Sequence, residues 1–197
     1  MLVLSSTDAQ SDAALFAERG IGDFAPFSFE RKATRPDGSE TRVAFTLAFA
    51  SDPAAPKVGF LVCQQHLPQN FWNREFQQHP NSAAYIAAVA LATPHPQLHA
   101  DFLGRFSGAE QERLPDSSWR FELDDGRIEV VSAAQVQTQF VPSPSFESVS
   151  VGVGAMEVLT QLLSEEGVPF TSSNEGVVIS PALLFGVELR FEKKRKN

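Results

Sequence analysis

Apolar and polar positions fall into three successive passages that share one grammar. Each opens on a short apolar strand, runs through a helix closed by glycine, and ends in a hairpin with an acidic residue followed by glycine at the turn. In the first passage, residues 1–4 are strand-prone and residues 11–19 form a helix that Gly20 stops. Phe24, Phe27 and Phe29 alternate as a half-buried strand does, Pro36-Asp37-Gly38 turns, and residues 41–50 and 58–65 supply two more strands. In the second passage, residues 85–91 are the strand. Leu98, Phe102, Leu103 and Phe106 recur at helical spacing, and Gly108 closes that helix. Residues 119–123 and 127–131 alternate on either side of Asp125-Gly126, the clearest hairpin in the chain. The step from Gly20 to Gly38 equals the step from Gly108 to Gly126, which supports a repeat. In the third passage, residues 148–153 are a strand, 156–163 a helix closed by Gly167, and Glu175-Gly176 a turn. Residues 187–192 alternate strictly, so Val187, Leu189 and Phe191 should be buried.

The pattern predicts an α+β fold: three βαβββ units forming curved mixed β-sheets, with helices on the outside. One such unit cannot bury its sheet face alone. Two side by side can curve into a cup of about eight strands. The expected division is 1–80, a first unit plus linker, and 81–197, two paired units. The unit left over can be completed by a second chain, which makes a homodimer the expected assembly.

Composition narrows the partners. The net charge is −8, from 16 Lys plus Arg against 24 Asp plus Glu, so nucleic acid is not an expected partner. The basic run is Lys193-Lys194-Arg195-Lys196, read as a solvated tail. No apolar run approaches the ~18 residues of a membrane span, and the first residues lack the basic start of a signal peptide. Cys63 is the single cysteine, so an internal disulfide and a cysteine-based zinc cluster are excluded and a cytoplasmic setting is the default. Seventeen phenylalanines against one tyrosine suit a sheet-built core or an apolar pocket.

The segments FLVCQQHLPQNFWNREFQQHPNSA, residues 60–83, and FSFERKATRPDGSETRVAFTLAFA, residues 27–50, resemble bacterial glyoxalase-like domain proteins. These belong to the vicinal oxygen chelate superfamily of glyoxalases, dioxygenases and bleomycin-resistance proteins. The resemblance implies a β-sheet cup that binds a small molecule, with a divalent metal ion held by donors from the first and last strands of each unit. It also implies one more βαβββ unit ahead of Met1. Two explanations stay open: a shorter relative that completes its cup by dimerising, or a start codon placed late.

At the matching positions, Gln64 and His66 share a face of the last strand of the first unit. His66 is the candidate catalytic base and metal ligand, and Gln64 a candidate ligand or substrate contact. The first strand offers Ser5. The later units offer Ala84 or Tyr85, and Ser148 or Glu147, while Arg190 stands where the family pattern has glutamate, flanked by Glu188 and Glu192. The four-ligand set is therefore incomplete within one chain. Phe71 and Trp72 either cap a pocket mouth and contact substrate, or pin the linker 67–80. His79 precedes a proline and reads as structural, and His95 with His99 reads as a solvated helix start. Cys63 points away from Gln64 and reads as an inert thiol. Two functions follow: a metal-dependent lyase or dioxygenase-type enzyme using the ion as a Lewis acid, or a metal-free module that binds or sequesters a small molecule. A structural remnant without activity is the third reading.

Overall fold

A computed structural model describes residues 1–133 and 144–194. Among these are twelve strands in two mixed sheets and four helices, an α+β architecture as the pattern implies. No helix among them is long and apolar enough to cross a membrane. The chain divides into two compact units, Met1–Gln77 with Leu98–Ala109, and Gln78–Gln97 with Glu110–Asn197. Arg195 and Lys196 of the basic run lie outside the described residues.

In the first unit, β1 (Leu2–Ser6), β2 (Phe27–Thr34), β3 (Glu40–Ala50) and β4 (Phe60–Gln65) form a sheet in the order β1-β4-β3-β2. β1 runs parallel to β4, and the other pairs are antiparallel. Helix α1 (Ala9–Glu18) starts at Asp8, whose carboxylate accepts from the Gln10 and Ser11 amides, and it ends at Gly20 with φ 66°. A four-residue helix, α2 (Pro68–Phe71), follows β4.

Helix α3 (Gln97–Ser107) belongs by sequence to the second repeat, yet most of it packs within the first unit. Phe102 and Phe106 hold Phe60 with ring centroids 4.7 and 5.7 Å away, and Phe106 also meets Phe16 of α1 at 5.6 Å. Each such buried ring contributes roughly 1.5–3 kcal/mol. His99, expected at a solvated helix start, is instead 2 % exposed, and its Nδ1 donates to Asp52 Oδ2 at 2.6 Å. Because α3 begins only after Pro96, His95 lies outside the helix and the two histidines do not share a face.

The second unit holds the strands of the two remaining repeats in one eight-stranded sheet. Its strands are β5 (Ala83–Thr93), β6 (Gln111–Arg113), β7 (Trp119–Leu123), β8 (Gly126–Ser132), β9 (Ser145–Val153), β10 (Thr171–Ser173), β11 (Gly176–Ile179) and β12 (Glu188–Lys193). The order is β10-β11-β12-β9-β5-β8-β7-β6. Two repeats join there through their first strands, β5 antiparallel to β9. Gly152 on β9 makes that pairing possible, because a Cβ there would come within 2.3 Å of the Tyr85 ring. Helix α4 (Met156–Glu165) buries Leu159 and Leu163 with Val153, Val177, Ile179 and Phe191. Phe191 is buried as the alternation of the last strand requires, with Leu189 packed at the cluster's edge.

Candidate functional site

Strand alternation sorts the first unit's side chains onto two faces. Phe60 meets α3, and Gln64 four positions further accepts from the Ala9 amide at 3.1 Å and donates to Thr7 O at 2.7 Å. That face is the helix-covered one. His66 follows on the same side: its Nε2 lies 2.7 Å from Thr46 Oγ1, and Thr46 is the register partner of Gln64. Both amide atoms of Gln64 are thus engaged with backbone.

The opposite face is open and concave. Val3 and Ser5 of β1, Cys63 and Gln65 of β4, Phe45 of β3, and Phe29 and Arg31 of β2 line a cavity of about 640 Å³. The register places Phe29, Phe45 and Gln65 in one row across three strands. Phe71 and Trp72 complete the wall. They are held by Asn70, whose Nδ2 donates to Arg42 O at 2.9 Å and whose Oδ1 accepts from Arg35 at 3.2 Å. The aromatic rings form a continuous chain: Phe27 to Phe29 at 5.7 Å, Phe29 to Phe45 at 5.2 Å, Phe45 to Phe71 at 5.7 Å, and Phe71 to Trp72 at 5.1 Å. The half-buried strand expected around Phe27 and Phe29 is therefore largely exposed, at 56 % and 37 %, because among the described residues no second layer covers this face.

Polar groups on the wall are few. Among the described residues no carboxylate pairs with Arg31, whereas Arg42 pairs with Glu30 at 2.8 Å. Gln65 Oε1 is buried without a hydrogen-bond partner. Burial pushes the Cys63 thiol up, so it remains a neutral, weakly polar wall and not a thiolate nucleophile.

The second unit's concave face has the opposite character. The guanidinium of Arg127 on β8 donates two bonds to Glu192 on β12, at 3.0 and 2.9 Å, and one to Glu129 at 2.7 Å. The bonds to Glu192 are the main reason its pKa lies above the ordinary arginine value. They cross two strands, β5 and β9, which present the small Ala88, Ser150 and Gly152 in between. Arg120 is flanked by Glu112, Glu122 and Glu129 at 3.7 to 3.9 Å, and Arg190 pairs with Glu188 at 2.5 Å. Glu147 Oε2 is buried without a partner, and burial, followed by nearby Glu188, raises its carboxyl pKa against a smaller opposing effect of Arg190.

The structure brings Phe71 and Trp72 to the first cavity and leaves Gln64 and His66 on the helix-covered side of the sheet. As metal donors the latter two do not fit: both amide atoms of Gln64 are bonded to backbone, His66 Nε2 lies on Thr46 Oγ1, and neither lines the cavity. Among the described residues no three His, Cys, Asp or Glu come together as a metal site. His79 lies exposed ahead of β5, its carbonyl accepting from the Ser82 amide. Arg31, Phe29, Phe45 and Gln65 escaped sequence reasoning. The signal for them was the pairing of the Phe27–Phe29 alternation with Phe45 and Leu47 on the neighbouring strand.

Among curated proteins none matches the chain. Two solved structures share the fold: a hypothetical protein from Staphylococcus aureus, 11 % identical with a TM-score of 0.66, and the Mn(II)-bound glyoxalase from Novosphingobium aromaticivorans, 12 % identical with a TM-score of 0.62. They cover 97 % and 98 % of this chain, and the chain spans 64 % and 62 % of theirs. The sequence profile of the glyoxalase-like domain matches residues 1–106, and with more than half of its length so matched the chain belongs to the glyoxalase-like domain family.

Proposed function

We propose that this protein binds a small, largely apolar molecule in the cup of its first unit, without catalysis by a resident metal. The observation that carries the reading is the unbroken aromatic wall from Phe29 through Phe45 to Phe71 and Trp72 around about 640 Å³, a volume in the range of about 300–1,000 Å³ usual for small-molecule sites. Rings at these separations present faces and edges to a guest ring at little conformational cost. The neutral Cys63 thiol adds a polarizable contact.

A metal-dependent lyase or dioxygenase is the second reading, favoured by the fold shared with the Mn(II)-bound glyoxalase. It requires donors that Gln64 and His66 do not direct into the cup. A homodimer accompanies the binding reading. β1 pairs only with β4 among the described residues, and its free edge corresponds to the edges by which β5 and β9 join two repeats. A second copy joined through β1 would set two cups side by side.

Titration with 2-naphthol, read by tryptophan fluorescence and calorimetry, tests the reading. Saturable binding that Phe45→Ala weakens at least about tenfold supports it, since such a truncation removes a few kcal/mol of contact. Binding indifferent to Phe45→Ala, or none at all, contradicts it. Light scattering at the same concentration reads the assembly.

A further inference from the structure

Resting on the binding reading above, we propose that the ligand of the first unit's cup is an aromatic carboxylate carrying a hydrogen-bond donor at the far end of its ring. Three features of the wall specify this class. The first is the tilted pair of Phe29 and Phe45 with Phe71 edge-on to Phe45, an aromatic surface that takes a planar ring. The second is Arg31, a cation on the wall that no described carboxylate neutralises. A guanidinium beside an apolar surface recognises a carboxylate through two parallel hydrogen bonds. The third is Gln65 Oε1, a carbonyl buried on the same wall without a donor. An acceptor left so is unfavourable, and turning the amide toward an incoming O–H or N–H removes that cost.

The register gives the two polar groups a spacing. Gln65, Phe45 and Phe29 share one row, and Arg31 is two residues beyond Phe29 on the same face. Their backbone positions are therefore about 10 Å apart across two strand spacings and about 7 Å apart along the strand. Both side chains line the cavity. With the reach of an arginine and a glutamine taken from that separation, the span suits one benzene ring substituted at opposite ends. Protonated Cys63 offers no competing charge at the ring face.

The test uses the full chain and four probes by calorimetry: 4-hydroxybenzoate, benzoate, phenol and 2-naphthol. 4-Hydroxybenzoate is expected to bind at least about tenfold tighter than phenol, as a charge-assisted pair provides, and about threefold to tenfold tighter than benzoate. Arg31→Met removes the first margin and Gln65→Leu the second, while both variants keep the circular dichroism spectrum and cooperative thermal unfolding of the wild type, which shows a folded chain. If 2-naphthol binds in the cup but phenol matches 4-hydroxybenzoate and Arg31→Met changes nothing, the ligand class is overturned and the cup remains a binding site. If no probe binds, 2-naphthol included, the underlying binding reading falls with it.

Discussion

The two concave faces of this protein are built from the same βαβββ unit and finished in opposite ways. In the second unit two repeats share one sheet, and the concavity is filled by arginines and glutamates: Glu192 and Glu129 bond the Arg127 guanidinium above small residues, while Arg120 Nε and Glu147 Oε2 are buried without hydrogen-bond partners. In the first unit a single repeat leaves its concavity open, floored by phenylalanine, with a free cation and an orphan carbonyl. The difference teaches where binding capacity lies. A network whose central guanidinium is already bonded by two carboxylates has little to gain there from a guest. A wall with unmet polar groups and exposed rings gains from both.

The largest expected effect breaks the filled cup. Glu192→Ala leaves Arg127 partly buried and short of two bonds, and should cost about 2–3 kcal/mol in chemical denaturation. Converting both partners to methionine should recover only part of that loss, because the apolar pair removes the unmatched guanidinium while Glu129 loses its bond to Arg127. Gly152→Val comes next. It drives a side chain into the Tyr85 ring and should cost about 1–3 kcal/mol, with the damage confined to the second unit. His66→Ala loses the hydrogen bond to Thr46 and should cost about 1 kcal/mol, leaving aromatic binding in the first cup unchanged. A loss of both binding and bound metal in that variant would favour the metal-dependent reading. Glu147→Gln has the smallest effect and a sign set by pH. The folded carboxyl has a raised pKa, so the native state holds its proton better than the unfolded chain does. The wild type therefore loses stability as pH rises from the ordinary glutamate pKa through the raised one. The glutamine variant should be more stable than the wild type at pH 8 and equal to it below pH about 4.

Much of the fold was legible because it rests on local rules. Helices ended at Gly20, Gly108 and Gly167, each with φ between 65° and 72°. The hairpin around Asp125-Gly126 formed with Leu123 opposite Gly126. What local rules do not carry is which neighbour covers which face. Phe102 and Phe106 read as the buried stripe of the second repeat's helix, yet they pack on Phe60 of the first unit. His99 shows the same limit. With no Glu or Cys beside it in sequence it reads as part of a solvated helix start, and its buried position depends on Asp52, distant in sequence. The candidate site was half legible. Phe71 and Trp72 stood out as aromatics after the last strand, whereas Arg31 and Gln65 acquire meaning only once the register puts them on the concave side.

The most direct test of the contrast between the two cups is chemical-shift mapping of 2-naphthol on isotope-labelled protein. The account expects saturable shifts in the Trp72 indole and the Phe29 and Phe45 rings, with Arg127 and Ser150 unmoved. Shifts centred on Arg127, Ser150 and Arg190, with the Trp72 indole silent, would contradict it and assign binding to the charged cup instead.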